Sequence, residues 1–162
     1  MKPKLCLLLA CLALVACSSQ LSSQEGKSKD LSSVTSSHQR KQTEEDHHMV
    51  IAKVGDREFQ ISLEDNQASR EFLDLLPMTI EMAHVNGNEV YYDLGKSFTT
   101  SHQPAGQIQV GDLKIWEEAG LVLFYKDFSS NYSYTDLGQV MDAEGLEEAL
   151  QASTTITFKE VN

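Results

Sequence analysis

Aromatic side chains cluster in one stretch of this chain, where they could bind a ligand. The cluster comprises Trp116, Phe124, Tyr125, Phe128, Tyr132 and Tyr134. Tyrosines that flank a loop offer apolar area with a polar tip, so they can line a groove for a peptide or small ligand. The same side chains could instead pack a barrel and its rim. The candidate ligand-binding residues are Tyr132 and Tyr134, which we expect to be exposed, with Tyr125 and, if its loop covers the same mouth, His102.

Motifs for catalysis are missing from the sequence. It contains no Gly-rich phosphate loop, Gly-x-Ser-x-Gly or His-Glu-x-x-His pattern. The acidic pairs Glu117-Glu118 and Glu147-Glu148 are adjacent rather than spaced as an acid–base dyad, so exposed charge is expected there. All three cysteines lie within the first 17 residues, which leaves no thiol for a disulfide, a zinc site or a nucleophile further on. We therefore expect no catalytic residue, metal or cofactor.

The N-terminal residues resemble a bacterial lipoprotein signal peptide. Lys2 and Lys4 precede an apolar stretch over 5–16, and about a dozen residues are too few to cross the ~30 Å hydrocarbon core as a helix. The stretch ends in Leu14-Val15-Ala16-Cys17, which is similar to the lipobox, whose cysteine accepts a diacylglycerol and becomes the first mature residue. The resemblance implies a signal peptide over 1–16 and lipidation at Cys17. The chain would then be anchored outside the cytoplasm, in the cell membrane or the outer membrane.

Residues 17–48 form a polar segment with few aliphatic side chains. Such a segment buries too little apolar surface to offset its ordering entropy, so we expect a disordered linker, with a reach of roughly 30 Å. His38, His47 and His48 could form a loose metal patch with the acidic residues at 44–46. A flexible tail does not hold ligands in fixed geometry, so we predict no metal site there.

The chain is acidic, with a formal net charge of −11 over 162 residues. Such a surface repels phosphate backbones, so nucleic-acid binding is not expected. Its length suits one ordinary domain, which we place at residues 49–162. The expected partners are a membrane, through the lipid on Cys17, and a peptide or small-molecule ligand.

Short alternating apolar runs from residue 49 onward predict a mainly β domain. In the first half the pattern predicts a hairpin (50–54 and 59–63) around the turn Gly55-Asp56. It then predicts a helix with Ala68, Phe72 and Leu75 on one face, which Asp65 or Asn66 caps and Pro77 ends. A strand over 78–82 follows, and then a hairpin whose turn at Asn86-Gly87-Asn88 leads into a strand over 90–92. In the second half it predicts strands over 113–116, 121–125 (buried on both faces), 132–140 and 155–159, a loop at 129–131, and a helix over 143–151 capped by Asp142.

An ordered set of phrases resembles the bacterial cyclophilin-like domain family. These are Leu63-Glu64-Asp65-Asn66, Leu75-Leu76-Pro77, Asn88-Glu89 with Tyr91, Gly106-Gln107-Ile108, Gly111-Asp112-Leu113, Leu123-Phe124-Tyr125, Tyr132-Ser133-Tyr134-Thr135 and Leu137-Gly138. The resemblance covers nearly all of 49–162 and implies a closed eight-stranded β-barrel with two short helices. The family has no well-established activity, so the resemblance implies the fold more than the function.

Catalytic cyclophilins accelerate isomerisation of X-Pro bonds and resemble one another in a Phe-His-Arg segment and a following Gln-Gly-Gly segment. The nearest stretch here, residues 101–106, contains no arginine. The arginines of the domain, Arg57 and Arg70, are expected at a hairpin start and on an exposed helix face. We therefore expect a lipid-anchored, non-catalytic binding module of the cell envelope. The alternatives are an envelope peptidyl-prolyl isomerase with a divergent site and a purely structural envelope protein.

Overall fold

The computed structural model describes residues 48–161. Its elements in chain order are β1 (Met49–Val54), β2 (Arg57–Leu63), α1 (Gln67–Leu73), β3 (Met78–Glu81), β4 (Ala83–Val85), β5 (Glu89–Asp93), β6 (Gln103–Ile108), β7 (Asp112–Trp116), β8 (Gly120–Phe124), β9 (Phe128–Val140), α2 (Leu146–Ala152) and β10 (Thr155–Glu160). The predicted signal peptide, Cys17, His38, His47 and all but the last residue of the predicted linker lie outside the described residues.

The sheet is entirely antiparallel and nearly closes into a barrel. Its strand order is β3-β10-β1-β2-β9-β7-β8-β5-β4, and β6 pairs with β9 beside this path. The two end strands, β3 and β4, are separated in the chain only by Met82, which is buried and donates its N–H to the Thr154 carbonyl at 3.0 Å. One bent segment therefore forms both ends of the sheet. The mainly β barrel with two short helices is thus confirmed.

Both predicted hairpins are present because their turn residues and their alternating apolar residues agree. Strands β1 and β2 pair from Val54 opposite Arg57 to Met49 opposite Ser62, around the Gly55-Asp56 turn. Strands β4 and β5 pair across the turn at 86–88. Alternate residues of β1, beginning with Val50, face the main core.

The two helices cover the main core with short apolar faces. Helix α1 is capped by Asn66, whose Oδ1 accepts a hydrogen bond from the Ser69 N–H at 2.9 Å, and its Phe72 is fully buried. The predicted cap of α2 is wrong, because the helix begins at Leu146 and Gly145 precedes it. Asp142 instead accepts a hydrogen bond from the Glu144 N–H at 3.1 Å, in the turn before the helix. Within residues 48–161, no helix has the length and apolar character that a membrane crossing needs.

Strand β8 is buried on both faces, as its continuous apolar run predicts. Leu121 and Leu123 pack into the main core, whereas Val122 and Phe124 belong to a second cluster with Ile108 and Tyr134. This second cluster lies on the outer face of the barrel wall, because successive side chains of a strand point to opposite faces.

The cover over the outer face is a pair of antiparallel strands, β6 and the first half of β9, that the sequence did not predict. Residues 129–131, expected as a loop, belong to β9, whose first half pairs with β6 from Ile108 opposite Phe128 to Gln103 opposite Tyr134. Strand β6 was missed because most of its residues are exposed and only Ile108 is a large apolar residue, so it carries no apolar alternation. With β6 and the separate β3 and β4, the sheet has ten strands instead of the eight expected from the resemblance.

Candidate ligand-binding site

A pocket of about 380 Å³ opens on the outer face of the barrel, beside the second cluster. Most of the side chains around it are apolar or aromatic. They are Val85, Asn86, Asn88, Glu89, Tyr91, Trp116, Val122, Phe128, Tyr132 and Tyr134. The volume falls within the range of small-molecule sites, about 300–1,000 Å³. Four of the six clustered aromatic residues singled out in the sequence therefore meet in one concave surface.

Strands β5 and β7 supply one wall of the pocket. On β5, Glu89 and Tyr91 face the pocket, while Val90 between them points into the main core. Tyr91 meets Trp116, at the end of β7, edge to face with ring centroids 6.2 Å apart. The glycine at position 120 leaves room for this approach, because a Cβ there would lie 2.6 Å from the Tyr91 ring.

Strand β9 supplies the opposite wall. Tyr132 is 66% exposed, as predicted, but the prediction of an exposed Tyr134 is wrong, because Tyr134 is only 6% exposed. The Tyr134 ring packs edge to face on Phe124, with centroids 5.6 Å apart, and Phe128 packs on the same ring at 5.6 Å. Tyr134 therefore lines the pocket from a fixed position, while Tyr132 projects from its rim.

The polar part of the pocket is a buried carboxylate with an amide beside it. Glu89 is 8% exposed and accepts one hydrogen bond, from the Asn86 Nδ2 at 3.1 Å. Burial raises the pKa of Glu89 above its ordinary value, and the hydrogen bond from Asn86 opposes part of that shift. Asn88 Oδ1 is also buried and has no hydrogen-bond partner within residues 48–161.

The pKa of Tyr134 is also affected by the Glu89 carboxylate. Burial raises the pKa of the Tyr134 phenol, a hydrogen bond with Ser130 opposes the shift, and the Glu89 charge adds to it. A titratable pair in an apolar concavity is a common sign of a functional site. What this arrangement offers chemically is apolar contact together with acceptor oxygens.

Tyr125 and His102, the other two predicted ligand-binding residues, do not line this pocket. Tyr125 follows Phe124 and points to the opposite face, into the main core, where its hydroxyl lies 3.2 Å from His84 Nδ1. His102 is exposed at the start of the β6 region, and its Nδ1 lies 3.2 Å from Thr135 Oγ1. The loop that carries His102 therefore does not cover the pocket mouth.

The arginines of residues 48–161 take part in contacts away from the pocket. Arg57 donates hydrogen bonds to the carbonyls of Glu144 and Gly145, at 2.6 and 2.9 Å, and lies over the Phe59 ring. Arg70 pairs with Asp65 at 2.7 Å on the helix surface. The same residues hold no group of three or more metal-ligating side chains. His48, the one histidine of the predicted tail patch that is described, lies 3.9 Å from Glu160.

The β5 side of the site was not predicted from the sequence. In the sequence, Glu89 stands out only as part of a family-like phrase, and Tyr91 only in that phrase and in the predicted strand over 90–92. Their spacing of two residues around the apolar Val90 is the available signal, because it places both on the face opposite the core. That they meet Trp116 depends on the β5–β8–β7 pairing, which the spacing alone does not give.

These observations define a small, mainly β, nearly closed barrel domain with two helices and an aromatic pocket on its outer face. Comparison with family models matches residues 52–159 to the cyclophilin-like family. The match covers most of the chain, so the protein belongs to the cyclophilin-like family, as the ordered phrases in its sequence indicated. A comparison with curated proteins found no match.

Proposed function

We propose that this protein is a lipid-anchored cell-envelope module whose cyclophilin-like domain binds a small ligand or peptide without transforming it. The observation that carries the proposal is the outer pocket, with aromatic walls and the buried Glu89 carboxylate. Ligand sites are typically apolar concavities with a few convergent polar groups, and this pocket has that composition.

The prolyl isomerase alternative lacks a specific observation in its favour. An arginine that polarises the twisting amide would need donors free to face an apolar pocket. The guanidinium of Arg57 is bound to main-chain carbonyls, and that of Arg70 pairs with Asp65. Neither arginine lines the aromatic pocket.

Replacement of Tyr132 tests the pocket directly. We expect Tyr132→Ala to weaken any ligand of the pocket about tenfold, because truncating an exposed aromatic anchor removes contact area without disturbing a core. The emission of Trp116, the only tryptophan of the chain, reports binding from within the pocket wall. The probes are a set of small aromatic molecules and Pro-containing peptides, titrated against the full chain in an uncharged detergent.

Met141→Ala is the matched control, since Met141 is 65% exposed and does not line the pocket. If neither Tyr132→Ala nor Met141→Ala changes the affinity for the probes, the assignment of the pocket as the ligand site is contradicted. Exchange spectra of the same Pro-containing peptides separate the alternative function. Faster cis–trans exchange in the presence of the protein would support an isomerase and overturn the non-catalytic proposal.

Lipid anchoring is supported by the sequence at 1–17, with its lipobox-like end at Cys17. We expect Cys17→Ser to yield an unprocessed precursor that lacks lipid, because the thiol is the acceptor on which processing depends. Mass spectrometry of the N-terminal peptide and detergent phase separation measure both effects. Cys11→Ser, within the apolar stretch, should process as the native chain does. Normal processing of Cys17→Ser would remove the basis for the anchor.

A further inference from the structure

We infer that the aromatic pocket selects a small organic cation, a free amine with an apolar body, and that Glu89 is the anion that recognises it. The inference rests on the proposed function and deepens it by assigning the chemical class of the ligand. It follows from three independent features of the site: the isolation of its carboxylate, the aromatic faces around it, and the charge of the adjoining surface.

The first feature is that Glu89 lacks a cationic partner. Within residues 48–161, Glu89 forms no ion pair, and its single side-chain hydrogen bond comes from the neutral Asn86 amide. Buried carboxylates are ordinarily paired, because an isolated buried charge is strongly disfavoured. Here the carboxylate lies in the wall of an open pocket, so an ammonium group that enters can supply the missing partner.

The second feature is the set of aromatic rings around the carboxylate. Five aromatic side chains line the pocket, namely Tyr91, Trp116, Phe128, Tyr132 and Tyr134. The negative faces of aromatic rings attract cations, and desolvation strengthens that attraction. An anionic ligand would instead meet both these faces and the Glu89 charge.

The third feature is the charge of the neighbouring surface. A second hollow shares Tyr91 and Trp116 with the pocket and is lined by Asp93, Glu117 and Glu118. Within residues 48–161, neither hollow is lined by a lysine or an arginine. Burial raises the pKa of Tyr91, and the charges of Asp93 and Glu117 raise it further. The approach to the pocket is therefore acidic and complementary to a cation.

The size and donor requirements of the pocket favour a free small amine. A volume of about 380 Å³ is near the lower end for ligand sites. A primary ammonium has three N–H donors, and the Glu89 carboxylate in the pocket wall offers acceptor oxygens for them. An apolar body attached to the amine would lie between Trp116 and the β9 tyrosines.

The test compares three probes that share a phenyl ring and differ in their polar group, together with a capped lysine that carries its ammonium on an aliphatic side chain. The full chain, in an uncharged detergent at constant concentration, is titrated with phenethylammonium, 2-phenylethanol, phenylacetate and capped lysine (Nα-acetyl-lysine methylamide), with Trp116 emission as the readout. We expect phenethylammonium to bind about tenfold or more tightly than the alcohol, because its charge adds cation–π attraction and a charge-assisted hydrogen bond. Phenylacetate should bind most weakly.

Glu89→Gln should abolish the preference for the ammonium over the alcohol, while it keeps the size of the side chain and the binding of the alcohol. Glu81→Gln, at an exposed carboxylate of β3 outside the pocket, is the matched control and should keep the preference. Far-UV circular dichroism of each variant verifies folding.

Each failure has a separate meaning. Equal affinities for phenethylammonium and 2-phenylethanol, or a preference that survives Glu89→Gln, would overturn the inference and leave the pocket as a ligand site. No saturable binding of any of the four probes would overturn the proposed pocket and the inference together. Tighter binding of the capped lysine than of phenethylammonium would overturn the assignment to a small free molecule, because it would favour a lysine side chain of a peptide.

Discussion

Replacing Gly138 with alanine is expected to lower the free energy of unfolding by about 3 kcal/mol. Gly138 pairs with Leu63 where β9 crosses β2, in the wall of the barrel. A Cβ at this position would overlap the Ser62 carbonyl oxygen and lie 2.9 Å from the Leu63 Cα. These atoms belong to the main chain of a paired strand, so rotation of a side chain does not relieve the overlap. The strands must move apart instead.

Gly120→Ala is the matched comparison, because its nearest neighbour is the edge of the Tyr91 ring at 2.6 Å. The Cβ would also lie 3.0 Å from the Trp116 carbonyl oxygen, but its shortest contact is with a ring, which is displaced more easily than a paired backbone. We therefore expect a loss of about 1 kcal/mol here. Guanidinium unfolding followed by far-UV circular dichroism measures both variants. A Gly138→Ala variant as stable as the native chain would contradict the described β2–β9 pairing.

Truncation of Phe158 to alanine is expected to lower the free energy of unfolding by about 3–5 kcal/mol. Phe158 is fully buried in β10, which joins β1 to the end strand β3. Its ring packs edge to face on Phe72 of α1, with centroids 5.5 Å apart. The substitution therefore leaves a cavity between the barrel and its helix, and both lose packing contacts.

The control for Phe158→Ala is Val161→Ala, just beyond β10, where the side chain is 46% exposed. Surface changes of this kind alter stability by no more than about 0.5 kcal/mol. The denaturation midpoints of both variants are measured in one denaturant series, and the slope of each unfolding transition is checked for two-state behaviour. Equal midpoints for the two variants would show that Phe158 is not in the core as described.

Elements with strong local signals could be predicted from the sequence. The β1–β2 hairpin combines a two-residue turn at Gly55-Asp56 with strict alternation, and β8 combines a continuous apolar run with a glycine at its start. The pairing of β6 with β9 could not be predicted, because it is made largely by exposed residues such as Ser129 and Gln107, whose side chains hydrogen-bond at 2.9 Å. The pairing depends on the tertiary fold, and no alternation of apolar residues in the sequence indicates it.

The candidate site could be predicted only on its aromatic side. The density of aromatic residues after Phe124 indicated a groove, but which ring faces outward depends on strand register. Phe124 and Tyr125 are adjacent in the chain, but Phe124 packs in the second cluster and Tyr125 in the main core. Glu89 was not singled out as a site residue, because its burial becomes visible only when β5 lies beside β8 and under β9.

The outer pocket owes its shape to the length of β9. The first half of β9, paired with β6, extends past the barrel wall and encloses space above β5, β7 and β8. Apolar side chains on the outer face of those strands would otherwise be exposed, and within residues 48–161 no lysine or arginine lines the space beside Glu89. We propose that the ligand completes this arrangement by providing the positive charge.

A crystal structure of the protein with phenethylammonium at saturating concentration would test the central claim most directly. The account predicts the ammonium nitrogen within hydrogen-bonding distance of the Glu89 carboxylate, and the phenyl ring in contact with Trp116 and Tyr134. The same pose should be lost in crystals of Glu89→Gln. An empty outer pocket, with the probe bound elsewhere on the barrel or not at all, would contradict the claim that this pocket is a cation-selective ligand site.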